Sequence, residues 1–124
     1  MNGRTIVLVE DDGLLSSMLS DEFRGEGYEV HQAFDGEEGL EIIRSKNPDL
    51  VLLDLLMPRK NGFEVLREMK EDNSIKDIPV VILTVSENED RIEETMKMGT
   101  VDALLKSHHT MKGIVERVNE FLEK

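Results

Sequence analysis

The sequence has no cysteine, which excludes a disulfide framework and a thiolate metal centre and makes an intracellular setting the simpler expectation. No apolar run approaches the ~18 residues that a membrane-spanning helix needs, and the opening MNGRTIVLVE lacks the apolar stretch of a signal peptide. A cytoplasmic protein without membrane insertion is therefore expected. Positive charge is scarce too: 15 basic side chains stand against 27 acidic ones, for a formal net charge of -12. That balance repels nucleic acid and anionic lipid, so any effect on DNA is expected to pass through a protein partner. Repeats, linkers and low-complexity stretches are missing as well. The 124 residues predict one domain, 1–124, large enough for a real core and too short for a second one. Met1 and the charged end at Lys124 fit the expectation of a complete single-domain protein.

What is present is alternation. Apolar runs at Thr5 to Val9, Leu50 to Leu53 and Val80 to Leu83 have the pattern of strands buried on both faces. Weaker runs at Glu29 to Ala33 and Ala103 to Leu105 supply a second and a fifth strand nearer the sheet edges. Leu14, Leu15, Met18, Leu19, Glu22 and Phe23 put an apolar stripe on a first helix, ended by Gly25 and Gly27. Leu40, Ile42 and Ile43 mark a second, stopped before Pro48. Phe63, Leu66 and Met69 mark a third, and Ile92 and Met96 a fourth that closes at Gly99. The fifth carries Met111, Ile114, Val115, Val118, Phe121 and Leu122 at helical spacing, a core stripe. This alternation predicts an α/β fold, a flavodoxin-like (βα)5 doubly wound parallel five-stranded sheet of order 2-1-3-4-5 with helices on both faces. Ligands of such sheets bind beyond the carboxyl ends of the strands, at the switch between the first and third.

Acids stand at that switch. Glu10, Asp11 and Asp12 follow the first strand and Asp54 follows the third. Carboxylates brought together repel unless protons or a cation neutralise them, and their oxygens suit a hard divalent ion such as Mg²⁺. Asp12 also reads as a helix cap ahead of Leu14, and Asp11 alone reads equally as one. Asp54 does not, because LLMP after it is apolar and Pro58 delays the third helix until about Asn61. Thr84 follows VVIL and Lys106 follows ALL. Alone, they are more simply a turn hydroxyl and a solvated charge; together with the acids they converge where a phosphoryl oxygen could be held.

From IVLVEDD through LVLLDLLMPRKNGFEVL and PVVILTVS to MGTVDALLKS, the chain resembles the receiver domain of bacterial response regulators, of the chemotaxis and sporulation single-domain type. The middle stretch is the most specific: Asp, then Met-Pro after two apolar residues, then an Asn-Gly turn. The resemblance implies that Asp54 is the phosphoacceptor. It makes Glu10 and Asp11 the acidic pair, Asp11 binding Mg²⁺ directly and Glu10 through water, with the backbone carbonyl of Leu56 as a further ligand. Thr84 would be the switch hydroxyl and Lys106 the partner of the phosphoryl group. The implied donor is a phosphohistidine on a histidine kinase or histidine phosphotransfer protein. The implied role is phosphorelay signalling, with self-phosphorylation and self-dephosphorylation as the only catalysis. An acyl phosphate adds up to about two negative charges. Thr84 and Lys106 closing on it would change the fourth helix and its leading loop, so that a downstream target reads the helix 4, strand 5, helix 5 face. Glu87, Glu89, Asp90, Glu93 and Glu94 there would favour a basic partner surface.

Three positions depart from the family's usual pattern: Ala103 where an aromatic is common, Ser107 where a proline is, and Val85 where a small residue is. They bear on the relay to a partner and not on the chemistry. His108 and His109 read as solvated neighbours of a helix cap. Three rivals remain for comparison, one of them a flavodoxin-like nucleotide binder, which would need a Gly- or hydroxyl-rich phosphate loop where Glu10, Asp11 and Asp12 stand. An aspartate-nucleophile phosphatase would need a second acid where Leu56 stands. A degenerate receiver serving only as an interaction module would not need the intact acid set.

Overall fold

The computed structural model describes residues 3–57, 59–84, 89–100, 102–105 and 110–123. Strands and helices alternate throughout: β1 (Thr5–Val9), α1 (Gly13–Gly25), β2 (Glu29–Ala33), α2 (Gly36–Lys46), β3 (Leu50–Asp54), α3 (Gly62–Glu71), β4 (Val80–Thr84), α4 (Glu89–Lys97), β5 (Asp102–Leu105) and α5 (Met111–Leu122). The five strands pair in parallel in the order β2-β1-β3-β4-β5. This is the predicted flavodoxin-like topology. β3 and β4 are buried at every position, and β2, on the edge, is only partly buried. Their unbroken apolar runs follow from that placement, since a central parallel strand has no wet face.

The strand period of two divides the core into two layers. Val7, Val9, Val51, Leu53, Val80 and Ile82 pack against Leu40 and Ile43 of α2 and Val65, Leu66 and Met69 of α3. The alternate residues Ile6, Leu8, Leu50, Leu52, Val81 and Leu83 pack against Leu19 and Phe23 of α1 and Ile114, Val115 and Val118 of α5. Helices therefore cover both faces, as the sequence pattern required. Among the described residues, no helix is long and apolar enough to cross a membrane.

Helix starts are set by side-chain caps, which satisfy the first free N–H groups. Asp12 accepts from the N–H groups of Leu14 and Leu15, Asp35 from Glu38, and Thr110 from Gly113. Asn61 and Glu64 form a reciprocal capping box at α3. The expected Asn-Gly turn is thus a cap followed by the first helical residue.

Helix α1 departs from its predicted stripe. It buries Ser16, Leu19, Ser20 and Phe23, whereas Leu14 and Met18 are exposed, at 72% and 46%, and Glu22 lies outside the core. Two small serines let α1 approach the sheet closely, and the buried face is rotated by about one residue from the most apolar one.

Candidate functional site

The register of the sheet places the acids in one row. Val9 pairs with Leu53, so the next residues, Glu10 and Asp54, stand side by side at the carboxyl ends of β1 and β3. The N–H of Glu10 continues the pairing of β1 with β2 by donating to the Ala33 carbonyl at 3.0 Å. Its side chain is fully buried, and Oε2 accepts from the Asp12 N–H at 3.1 Å. Asp54 ends β3 inside the sheet ladder and is 3% exposed, with Oδ1 accepting from the Leu56 N–H at 3.3 Å. Asp11 is exposed. One carboxylate oxygen from each of Glu10, Asp11 and Asp54 lies within 4.8 Å of the others.

Three anionic groups this close raise one another's energy, and a cation between them reverses the sign of that interaction. An all-oxygen donor set that is open to water on the Asp11 side fits Mg²⁺, which uses few carboxylates and keeps several waters. Asp12 takes no part in the cluster; its side chain is spent on the α1 cap.

Thr84 is the last residue of β4 and fully buried. Asp54 pairs with Leu83, so Thr84 sits one row beyond Asp54 on the neighbouring strand. Leu56 is about half exposed, and its N–H points back to Asp54. Lys106 follows β5 directly but lies outside the described residues, as do Val85, Ser86, Glu87, Ser107, His108 and His109 and the side chains of Glu89 and Asp90. Glu93 and Glu94 are exposed on α4. Ala103 is partly buried and packs against the α2–α3 core layer, as Met57, Phe63 and Met98 do.

Resolved shifts in ionisation lie elsewhere. A hydrogen bond from His31 holds Glu29 below the ordinary glutamate range, and hydrogen bonds from the Ser74 side chain and backbone do the same for Asp72. Both acids serve local structure.

Sequence reasoning read Gly62 only as part of an Asn-Gly turn. A Cβ there would lie 2.4 Å from the Asp54 carbonyl oxygen and 2.7 Å from the Leu55 Cα, while the Gly62 N–H donates to the Leu55 carbonyl at 2.9 Å. Only a bare α-carbon lets α3 begin against the backbone of Asp54. The signal was the pair Asn61-Gly62, a capping residue followed by glycine.

Residues 6–119 match the family described as the response regulator receiver domain. Over 119 residues the chain is 40% identical to the transcriptional regulatory protein CiaR of Streptococcus pneumoniae, covering 96% of this chain and 51% of that protein. It therefore spans about half the length of that relative. The Mn²⁺-bound form of the response regulator Rcp1 superposes with a TM-score of 0.84 at 31% identity, covering 96% of this chain and 94% of the other. The phosphorylated cyanobacterial phytochrome response regulator RcpA superposes with a TM-score of 0.82 at 33% identity, covering 98% and 92%. Fold, strand-end acids and sequence agree, and the chain belongs to the response regulator receiver domain family.

Proposed function

We propose that the chain is a Mg²⁺-dependent phosphoacceptor in a phosphorelay, with Asp54 the residue that takes the phosphoryl group. The observation that carries this reading is the meeting of Glu10, Asp11 and Asp54 at the ends of adjacent strands, oxygens within 4.8 Å. The Mn²⁺ form of Rcp1 and the phosphorylated form of RcpA support it, because both are family members of similar fold.

In the proposed step the Asp54 carboxylate oxygen bonds to phosphorus as the phosphorus–nitrogen bond of a phosphohistidine breaks. The electron pair returns to the imidazole nitrogen, which takes a proton from solvent. Mg²⁺, when bound, would supply positive charge against the anionic nucleophile and phosphoryl oxygens. Asp11 would hold the ion directly, Glu10 through water, and Asp54 and the Leu56 carbonyl would complete the protein's share. Strand β3 fixes the nucleophile, since its backbone is paired on both sides. Lys106 counters the remaining charge, and the Thr84 hydroxyl donates to a phosphoryl oxygen once it is in place. A histidine kinase or phosphotransfer protein would be the donor, in the cytoplasm, and a protein reading α4, β5 and α5 the target.

Intact-protein mass after incubation with a small acyl phosphate and Mg²⁺ tests the assignment. One phosphoryl group is expected on the wild type and none on Asp54→Ala or after chelation. Labelling that survives in Asp54→Ala, or appears on His108 or His109, refutes it.

A further inference from the structure

Between β3 and α3 stand the described residues 55–57 and 59–61 of the connecting loop. Gly62 fits one end of this loop against the helix that follows it. The other contact is with a helix the loop does not join. A Cβ on Gly36, the first residue of α2, would lie 2.0 Å from the Lys60 carbonyl oxygen and 2.7 Å from its carbonyl carbon.

Helix α2 is poorly placed to yield there. Its first turn is fixed by the Asp35 side chain, which accepts from the Glu38 N–H at 2.9 Å. One turn on, buried Gly39 rests on Val9, where a Cβ would come within 2.9 Å of Cγ1. The loop is held from both sides: the Arg59 guanidinium lies 3.6 Å from the Asp35 carboxylate, and the Lys60 ammonium pairs with Glu68 of α3. Arg59 has a φ of +63°, left-handed backbone that is unfavourable for a residue with a Cβ and persists where the surroundings over-determine it.

We infer that Gly36 is a positioning residue for the Mg²⁺ site. The first turn of α2 is the surface on which the Lys60 carbonyl seats. By fixing that end of the loop it sets where the Leu56 carbonyl stands relative to Glu10, Asp11 and Asp54. This rests on the proposed Mg²⁺ site, and it adds a residue from a different strand–helix unit that touches neither ion nor phosphoryl group. Mg²⁺ demands near-ideal octahedral geometry, so a displaced carbonyl should be felt strongly. Supporting residues around metal sites commonly matter by about 10–100-fold in affinity.

The test is a Mg²⁺ titration followed by amide NMR shifts, with unfolding midpoints measured in parallel. Gly36→Ala is compared with Ile43→Val, which thins the core under the same helix and leaves the contact between Gly36 and Lys60 in place. Gly36→Ala should weaken Mg²⁺ binding at least about tenfold and move the metal-free amides of Leu56, Met57 and Lys60. Ile43→Val should lower the midpoint and leave both unchanged. Arg59→Gly relieves the left-handed backbone but cuts the tether to Asp35, so it should weaken Mg²⁺ about two- to threefold without loss of stability. Mg²⁺ affinity in Gly36→Ala within about twofold of wild type overturns the inference. If that variant does not fold, wild-type affinity in Arg59→Gly overturns it. A wild type whose Asp11 and Asp54 amides ignore Mg²⁺ overturns the site and the inference together, whereas a responding wild type matched by Gly36→Ala overturns the inference alone.

Discussion

The two ends of the sheet handle charge differently. At the amino end, acids and carbonyls are matched with donors. Asp49 accepts from the Thr5 N–H at 2.8 Å and donates its own N–H to the Thr5 carbonyl at 2.8 Å. The Arg4 guanidinium bonds the Leu122 carbonyl near the end of α5. Tyr28 donates its hydroxyl to Asn119, which in turn donates to Glu26. Beneath this network Phe23 and Tyr28 meet edge to face, ring centroids 5.5 Å apart. At the carboxyl end three carboxylates face one another, and large apolar side chains at Leu14, Phe34 and Leu56 are exposed on neighbouring segments. One end closes the fold; the other gathers three carboxylates within reach of one ion, a grouping that closure alone does not require. Clustered like charge tends to cost stability, and such a cluster at the switch point of the sheet is what makes it a candidate site.

Substitutions at the amino end should therefore change stability and leave the acid cluster alone. The largest effect is expected from Phe23→Ala, which empties a fully buried position between α1 and the sheet. Chemical unfolding should show a loss of ~3–5 kcal/mol. A loss below ~1 kcal/mol would mean that α1 contributes little to the core.

Tyr28→Phe should cost ~1 kcal/mol through the lost hydrogen bond to Asn119. Tyr28 is the sole tyrosine, so its ionisation can be read by ultraviolet difference without overlap. Burial raises its phenol above the ordinary value of 10.0, against the opposing charge of Arg4. Because the folded state holds this proton more tightly, the associated stability is complete below the unfolded pKa and is lost as pH rises through the folded one. Tyr28→Phe should remove that alkaline limb from the stability profile. An ionisation midpoint at or below 10 would contradict the packing of this end.

Smallest should be Ser20→Ala. The Ser20 hydroxyl is buried and has no hydrogen-bond partner among the described residues. Removing it should raise stability by ~0.5–1 kcal/mol, measured as a shift in denaturant midpoint at constant slope. A destabilised variant would point to a bond that this packing does not contain.

Most of the fold was legible in the sequence because central parallel strands write themselves as unbroken apolar runs, and Leu50 to Leu53 and Val80 to Leu83 are such runs. The site was legible for a related reason: the strand order fixes which ends are neighbours, so Glu10 and Asp54 could be brought together before any side chain was placed. Less legible was the face of α1. Hydrophobicity favoured Leu14 and Met18, while the approach of the helix to the sheet favoured the smaller Ser16 and Ser20, and side-chain volume is not carried by apolar periodicity. Gly36 was missed for a similar reason, since its role depends on the Lys60 carbonyl from a separate unit, a contact that spacing does not encode.

The most direct measurement of the division between the two ends is the gain in thermal stability on adding Mg²⁺, compared across wild type, Tyr28→Phe and Asp54→Asn. An ion that binds only the folded state stabilises it by mass action, independently of damage elsewhere. Wild type and Tyr28→Phe should gain equally, although the second starts lower. Asp54→Asn should start higher, because one of three clustered charges is gone, and should lose most of the gain. An undiminished gain in Asp54→Asn, or a gain abolished by Tyr28→Phe, would contradict the assignment of the ion to the carboxyl end.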